Sequence, residues 1–363
     1  MYQPRFLSPY AESDSCVYHC ISRVIDRQFV LKQRERDVFV RMMREYEAFC
    51  GVRVLSYCVM SNHFHLLVEV PPKVKGAAVA MTDAVFLRKI KTIYSGIYYR
   101  DIKQKLKRFR ADGADKAALD LKAKYTRRMH DLSEFIKGLK QRFTQWYNGT
   151  HARKGTLWEG RFKNVLVQSG YAARVMTAYI DLNPVRAGMV EKPEDYKWCS
   201  YGEAIQPKAT RGRKKAREGY CRVLAQNQEP GNQSSDLLGW GEGIAERYRM
   251  MLFADGEEVF VDTRETGEVN ERVRKGFKRG DVEKVLSRGG KLSFGETLRC
   301  RVRYFSDGMT FGDRAYVDKV FKGARERFGA KRKSGARPIR GVGWKKKDTR
   351  LYSMRQLTQH TLE

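Results

Sequence analysis

The segment from Tyr57 to Val70 constrains the fold more than any other part of the sequence. Two apolar runs flank Ser61-Asn62, a pair typical of tight turns, so we predict a β-hairpin over residues 53–70. His63 and His65 open its second strand, and because side chains alternate along a strand, both imidazoles are expected on one face. Such a pair can hold a divalent metal ion, or it can be two ordinary strand histidines, one exposed and one packed.

The segments around this hairpin predict an α+β fold. The predicted elements are a strand at 17–24, a helix at 33–50 ended by Gly51, the hairpin, helices at 84–99 and 132–147, a strand at 162–167, and a helix at 171–182. Asp131 is the expected N-cap of the helix at 132–147, with Glu134 in the capping-box position. This order predicts a ferredoxin-like or RRM-like antiparallel sheet with helices on one face.

The charge balance predicts a polyanionic partner. The 363 residues contain 72 Lys and Arg against 42 Asp and Glu, a formal net charge of +30, which favours nucleic acid. No apolar run reaches the length of a membrane span, the N-terminus lacks the apolar core of a signal peptide, and the seven cysteines are scattered without a C-x-x-C pair. We therefore expect a cytoplasmic, nucleoid-associated protein that does not bind membranes.

A change of composition after residue 205 predicts a C-terminal extension. We expect a globular domain over 1–205, a basic flexible linker over 206–236, a small helical module over 237–330 and a basic tail over 331–363. Asp313 is expected to begin a helix of the module. The sequence therefore predicts an α+β domain with a mostly helical extension.

A second group of polar residues lies in the predicted helix after the last strand of the domain. Tyr179 and Asn183 are four residues apart and share a helix face. Beside a metal-binding histidine pair, a phenol can attack a phosphodiester, and Mg²⁺ or Mn²⁺ suits imidazole, amide and phosphate ligands. A buried tyrosine and a helix-ending Asn before proline are the ordinary alternative. Tyr171 is the competing nucleophile, and His19 is expected to be a packing residue.

Four segments, in this order, resemble the single-tyrosine HUH transposases of the insertion-sequence type. The segment 59–68 (VMSNHFHLLV) resembles the His-apolar-His motif, 132–148 (LSEFIKGLKQRFTQWYN) resembles the central helix, and 155–163 (GTLWEGRFK) resembles the segment after it. The segment 179–188 (YIDLNPVRAG) is similar to the signature of the REP-associated tyrosine transposases. The stretch 100–130 is longer than in compact members, and 206–363 has no counterpart among them.

The resemblance implies metal-dependent cleavage and strand transfer of single-stranded DNA at hairpins. It implies Mg²⁺ or Mn²⁺ held by His63, His65 and Asn183, with Tyr179 forming a 5′-phosphotyrosine and freeing a 3′-hydroxyl. In the REP-associated branch the substrates are repetitive extragenic palindromes. It implies no other cofactor. A homodimer, in which Tyr179 completes a partner's histidine pair, stays open.

Basic residues near the central helix and the sheet edge are the candidate phosphate contacts. They are Lys137, Lys140, Arg142, Arg161, Lys163 and Arg186. One alternative to the enzyme is a non-catalytic regulator that keeps the fold and binds hairpin DNA or RNA. Another is a metal phosphodiesterase or histidine-nucleotidyl enzyme, which would need further His or Asp residues near the histidine pair.

Overall fold

A computed structural model describes residues 5–225, 303–339 and 350–355. The chain divides into two compact units, the first made of residues 1–54 and 59–163 and the second of residues 55–58 and 164–363. The predicted boundary after residue 205 does not coincide with this division and stays a prediction.

The described residues hold seven strands and twelve α-helices. The strands are β1 Cys16–Arg23, β2 Arg53–Val59, β3 His63–Val70, β4 Lys163–Val167, β5 Thr310–Gly312, β6 Arg337–Pro338 and β7 Tyr352–Met354. The helices are α1 Gln33–Cys50, α2 Ala77–Ala80, α3 Asp83–Ile93, α4 Gly96–Ala111, α5 Asp115–Thr126, α6 Leu132–Thr150, α7 Tyr171–Asp181, α8 Asn183–Arg186, α9 Ser200–Ile205, α10 Arg211–Ala225, α11 Arg303–Ser306 and α12 Arg314–Gly323. Short 3-10 helices lie at Ile25–Arg27, Pro193–Asp195 and Arg325–Arg327.

The predicted hairpin forms as strands β2 and β3. The turn is closed by the backbone N–H of Met60, which donates to the carbonyl of His63 at 2.8 Å. On its other side β3 pairs antiparallel with β1 over the whole strand, from Cys16 opposite Val70 to Arg23 opposite His63. The order β2-β3-β1, in which the first strand skips the second and pairs with the third, is that of a ferredoxin-like fold. The predicted α+β class with an antiparallel sheet is confirmed.

Helices α1 and α6 cover the face of β3 that carries Phe64. The ring of Phe64, which is completely buried, lies 4.8 Å from the ring of Phe39 on α1. Phe39 in turn contacts Phe143 on α6 at 5.2 Å, and Trp158 packs against all three rings. Because neighbouring side chains of a strand point to opposite faces, His63 and His65 lie on the face turned away from this aromatic core.

The helix ends follow the predicted capping chemistry. Helix α1 ends at Gly51, whose φ of 69° is a left-handed conformation that glycine adopts without steric strain. The side chain of Asp131 accepts a hydrogen bond from the backbone N–H of Glu134 at 3.0 Å and begins α6. Both helix boundaries are therefore set by local interactions that the sequence makes visible.

The predicted helix at 84–99 was wrong, because the structure has two helices there. The backbone is extended at Tyr94 (φ −102°, ψ 150°), and the side chain of Ser95 accepts from the N–H of Tyr98. This serine cap begins α4 and separates it from α3. The apolar positions continue across the break, so periodicity alone joins the two helices.

The C-terminal extension contributes strands to the second unit. β4 pairs parallel with β5, from Leu166 opposite Thr310 to Val167 opposite Phe311. β5 and β6 both pair antiparallel with β7, which gives the order β4-β5-β7-β6. The sequence predicted a helical module and a tail here. It did not predict strands, because β5, β6 and β7 are too short to show an alternating apolar pattern. Asp313 caps α12 as predicted, through the N–H of Tyr316, and the predicted helices between 237 and 302 lie outside the described residues.

Residues 211–225, predicted as part of a flexible linker, form helix α10. Its buried face is made of Ala216, Tyr220 and Val223. The hydroxyl of Tyr220 donates to the carboxylate of Asp181 on α7 at 2.7 Å. The segment has many basic residues and only a narrow apolar stripe. Composition alone therefore predicted a linker, because it does not register the helical spacing of the few apolar residues. Residues 226–236 of that predicted linker lie outside the described residues. Among the helices that the structure describes, none is long and apolar enough to cross a membrane.

Candidate active site

His63 and His65 lie side by side on β3. Their ring centroids are 5.0 Å apart and the ring planes are nearly perpendicular, at 75°. His65 is buried and His63 is half-buried. The period of the strand thus places both rings on one face, at a separation that is fixed by the backbone.

Each of these imidazoles has its Nδ1 atom in a hydrogen bond to a neighbour. His63 Nδ1 lies 2.6 Å from Oδ1 of Asn62, and since an amide oxygen only accepts, His63 carries its hydrogen on Nδ1. His65 Nδ1 lies 2.9 Å from Nε2 of His19, with the two rings stacked at 5.2 Å and 14°. A neutral imidazole with the hydrogen on Nδ1 has the lone pair on Nε2, the atom that can bind a metal ion.

His19 is a neighbour of the candidate site whose contact the sequence did not predict. Its ring is completely buried, as expected of a packing residue, and its Nε2 also lies 2.9 Å from Nδ1 of His65. In the register of β1 and β3, Ile21 is opposite His65, so His19 lies two residues away on the same face. The spacing along β1 is visible in the sequence, but the register that brings the two rings together is not.

The histidine pair fits a divalent metal ion as a partial donor set. Two imidazoles held through Nδ1 by neighbouring groups are arranged as metal-binding histidines commonly are. In the part of the chain that the structure describes, no group of three or more His, Cys, Asp or Glu side chains is placed to hold a metal ion. A complete site would therefore need ligands of another kind, such as an amide oxygen, a phosphate or water.

Tyr179, the predicted nucleophile, is completely buried within the second unit. Its ring stacks on Phe305 of α11 with 4.5 Å between centroids and an interplanar angle of 24°. The guanidinium of Arg186 lies 4.2 Å from the centroid of the same ring. A cation at this distance is attracted to the electron-rich face of the aromatic ring.

Asn183 lies one turn beyond Tyr179, where α7 ends and α8 begins. Its Nδ2 donates to the carbonyls of Tyr179 and Ile180, at 3.1 and 3.2 Å. Its Oδ1 accepts from the guanidinium of Arg186. These bonds fix the orientation of the carboxamide, so the oxygen points away from α7 and towards the arginine. Arg186 thus joins the candidate nucleophile and the candidate amide ligand within the second unit.

Tyr171, the competing nucleophile, has different surroundings. It is the first residue of α7, is half-buried, and has the guanidinium of Arg174 5.6 Å from its ring. His63 and His65 thus belong to the first unit, and both candidate tyrosines belong to the second.

Three of the six candidate phosphate contacts are exposed and three are half-buried. Lys137, Arg161 and Lys163 are exposed, with Lys137 also 3.3 Å from Glu134. Lys140 is half-buried and donates to the carbonyl of Gly160 at 2.7 Å, and burial lowers the pKa of its ammonium to about 8.

The two remaining candidates are arginines that bind protein groups. Arg142 is paired with Glu45 at 3.1 Å. Arg186 contacts Tyr179 and Asn183, as described above. The exposed members of the set are thus the better placed for phosphate.

Comparison with known families finds one similarity, in the first part of the chain. Residues 12–111 match the family described as "Transposase IS200 like". This segment contains β1, β2 and β3 with His19, His63 and His65, and it ends before Tyr179. The match covers about a quarter of the chain and includes the His-apolar-His motif at residues 63–65.

Among solved structures, the chain is similar to one described as a REP-associated tyrosine transposase bound to a REP hairpin. The two share 12% sequence identity, the likeness covers 56% of this chain and 84% of the other, and the TM-score is 0.35. A likeness at that TM-score does not establish a common fold. No curated protein matches the chain.

Proposed function

We propose that the protein cleaves and rejoins single-stranded DNA at hairpins, through a 5′-phosphotyrosine on Tyr179. The observation that carries the proposal is the histidine pair on β3, with both Nδ1 atoms held by neighbours, inside the segment that matches the transposase family. We assign His63, His65 and Asn183 as ligands of Mg²⁺ or Mn²⁺, and palindromic repeats of the REP type as the substrates.

The proposed reaction exchanges one phosphodiester for another. The hydroxyl oxygen of Tyr179 attacks the phosphorus, the bond from phosphorus to the 3′ oxygen breaks, the phenol loses its proton and the departing 3′ oxygen gains one. The reverse attack by a 3′-hydroxyl rejoins the strand, so no external energy source is needed. A divalent ion, when bound, would polarise the phosphate and offset the charge that develops on it.

Arg186 is the residue of this chain that would position Tyr179 and Asn183 for the reaction. Its guanidinium lies 4.2 Å from the centroid of the tyrosine ring and also donates to the oxygen of Asn183. One arginine would thus orient both the ring of the nucleophile and the carboxamide of the amide ligand.

The exposed cations are the proposed DNA contacts. Arg161 and Lys163 lie where β4 begins, and both are exposed. The net charge of +30 supports binding to a polyanion, and contacts to phosphates position DNA without reading its sequence. The proposal places that DNA in the cytoplasm.

Covalent trapping on a hairpin oligonucleotide tests the proposal. A 5′-phosphotyrosine leaves the protein on the 3′ part of the cleaved strand, so the label belongs at the 3′ end. With Mn²⁺, we expect the wild type and Tyr171→Phe to give a labelled adduct on a denaturing gel, and Tyr179→Phe and His65→Ala to give none. An adduct that persists in Tyr179→Phe would show that the nucleophile is another residue.

The burial of Tyr179 favours a second candidate, a non-catalytic protein that binds hairpin DNA or RNA. A completely buried hydroxyl cannot reach a phosphate unless the side chains that cover it move. This candidate predicts tight hairpin binding without any adduct, whichever divalent ion is supplied. The trapping experiment therefore separates the two candidates.

A further inference from the structure

We propose that His19 is a positioning residue, which holds His65 in the tautomer that can bind metal. The inference rests on the proposed function, because it concerns the same metal site. It starts from the contact of 2.9 Å between Nε2 of His19 and Nδ1 of His65.

Only one hydrogen can occupy the space between these two nitrogens. If His65 donates from Nδ1, its lone pair is on Nε2 and that atom can bind a metal ion. If His19 donates, the hydrogen of neutral His65 is on Nε2 and blocks metal binding there. A bound metal ion therefore requires His19 to act as the acceptor, with its own hydrogen on Nδ1.

Burial makes this contact difficult to replace with water. His19 is 0% exposed and His65 is 4% exposed, and their rings stack at 5.2 Å. The pairing of β1 with β3 fixes the backbone on both sides of the contact. Removal of the acceptor would thus leave the buried Nδ1–H of His65 without this partner, at a cost that favours the other tautomer.

His63 provides the internal comparison. Its Nδ1 faces Oδ1 of Asn62, an atom that can only accept, so one tautomer is already selected. His19 can donate or accept, so it is the side chain on which the tautomer of His65 depends. The Nδ1 atoms of His63 and His65 therefore have different hydrogen-bond partners. Substitution of His19 should affect metal binding by His65 and not by His63.

Two substitutions in the full chain separate hydrogen bonding from packing. In His19→Gln the amide oxygen can take the place of Nε2 and accept, whereas His19→Phe keeps a ring for stacking but cannot accept. We expect His19→Phe to weaken Mn²⁺ binding, followed without DNA by the spin-resonance signal of free Mn²⁺, by about 10- to 100-fold. We expect His19→Gln to stay within a few-fold of the wild type.

The matched control is Cys20→Ala, a buried change on the opposite face of β1 that should leave Mn²⁺ affinity unchanged. Equal Mn²⁺ affinity of His19→Phe and the wild type would overturn the positioning role and leave the proposed function intact. A wild type that binds no Mn²⁺ would contradict the metal site of the proposed function itself.

A measurement on the unaltered protein covers the case in which His19→Phe fails to fold. Nitrogen-15 labelling of the six histidines reports which ring nitrogen of each carries hydrogen. With saturating Mg²⁺, the inference predicts that His65 carries it on Nδ1 and His19 also carries it on Nδ1. A hydrogen on Nε2 of His19, directed at His65, would overturn the proposal.

Discussion

At the scale of single residues, the neighbours of a side chain decide which of its possible roles it can take. Lys140 and Lys163 are equally good candidates for phosphate contacts in the sequence. In the structure Lys163 is exposed, whereas the ammonium of Lys140 donates to Gly160 and lies 5.5 Å from the ring of Trp158. Desolvation lowers the pKa of Lys140 to about 8, so its charge is costly to the folded state near neutral pH.

This burial predicts a pH-dependent contribution of Lys140 to stability. Between pH 8 and 10.5 the unfolded chain holds the lysine proton and the folded chain does not, so the free energy of unfolding rises with pH in that window. Lys140→Met removes this contribution. Relative to the variant, the free energy of unfolding of the wild type should rise by up to about 3 kcal/mol as the pH increases from 8 to 10.5. Below pH 8 the difference between the two proteins should stay constant. Urea denaturation at several pH values measures the free energy of unfolding of both proteins. The same pH dependence in the wild type and in Lys140→Met would contradict a lowered pKa of Lys140.

Exposed Arg161 and Lys163 give the complementary prediction for DNA. The double change Arg161→Ala and Lys163→Ala should weaken hairpin binding and reduce the slope of log affinity against log salt by about 0.7–0.9 for each phosphate that the protein no longer neutralises. Lys105→Ala is the control, because Lys105 is an exposed lysine on α4, a helix that carries none of the six candidate phosphate contacts. If the slope of log affinity against log salt is unchanged in the double variant, Arg161 and Lys163 do not contact the phosphates of the DNA.

At the scale of elements, local patterns predicted the parts of the fold that local interactions determine. The hairpin, the end of α1 at Gly51 and the Asp131 cap follow from turn residues, alternation and capping. The pairing of β1 with β3 is non-local, so the contact of His19 with His65 could not be read from spacing. For the same reason the stacking of Phe305 on Tyr179, across a long sequence separation, had no local signal.

Helix α10 is anchored to α7 by a buried hydrogen bond, which predicts a stability effect. In Tyr220→Phe the carboxylate of Asp181 loses the hydroxyl that donates to it at 2.7 Å. We expect a decrease of about 1–3 kcal/mol in the free energy of unfolding. Tyr171→Phe, at the half-buried start of α7, is the matched control and should change stability by less than about 0.5 kcal/mol. Equal effects of the two changes would mean that the bond adds nothing to stability.

The short helix α11 predicts an effect on reactivity, because the ring of Phe305 stacks on the buried ring of Tyr179. Phe305→Ala should expose the phenol and speed formation of the covalent adduct several-fold, while removal of the packed ring costs about 3–5 kcal/mol of stability. Phe328→Ala is the control, since Phe328 packs on Phe321, at 5.0 Å, within the same unit. A folded Phe305→Ala variant whose adduct forms more slowly would show that the ring supports the reactive conformation.

At the scale of the whole molecule, the net charge of +30 predicts a polyanionic partner but does not say where that partner binds. Some basic side chains are paired within the protein, as Arg110 of α4 is with Asp83. The family match covers the histidines and not Tyr179, so the assignment of the nucleophile depends on the motif and on its contacts with Arg186.

Mass spectrometry of the trapped adduct after trypsin digestion identifies the residue that carries the phosphoryl group. Trypsin places Tyr179 in the peptide 175–186 and Tyr171 in the preceding peptide, 164–174, so the two candidates separate without any substitution. We predict that, with Mn²⁺ and a hairpin oligonucleotide, the 5′-phosphoryl group is found on peptide 175–186 alone. A phosphoryl group on peptide 164–174 or on any other peptide would contradict the account, as would tight hairpin binding with no modified peptide.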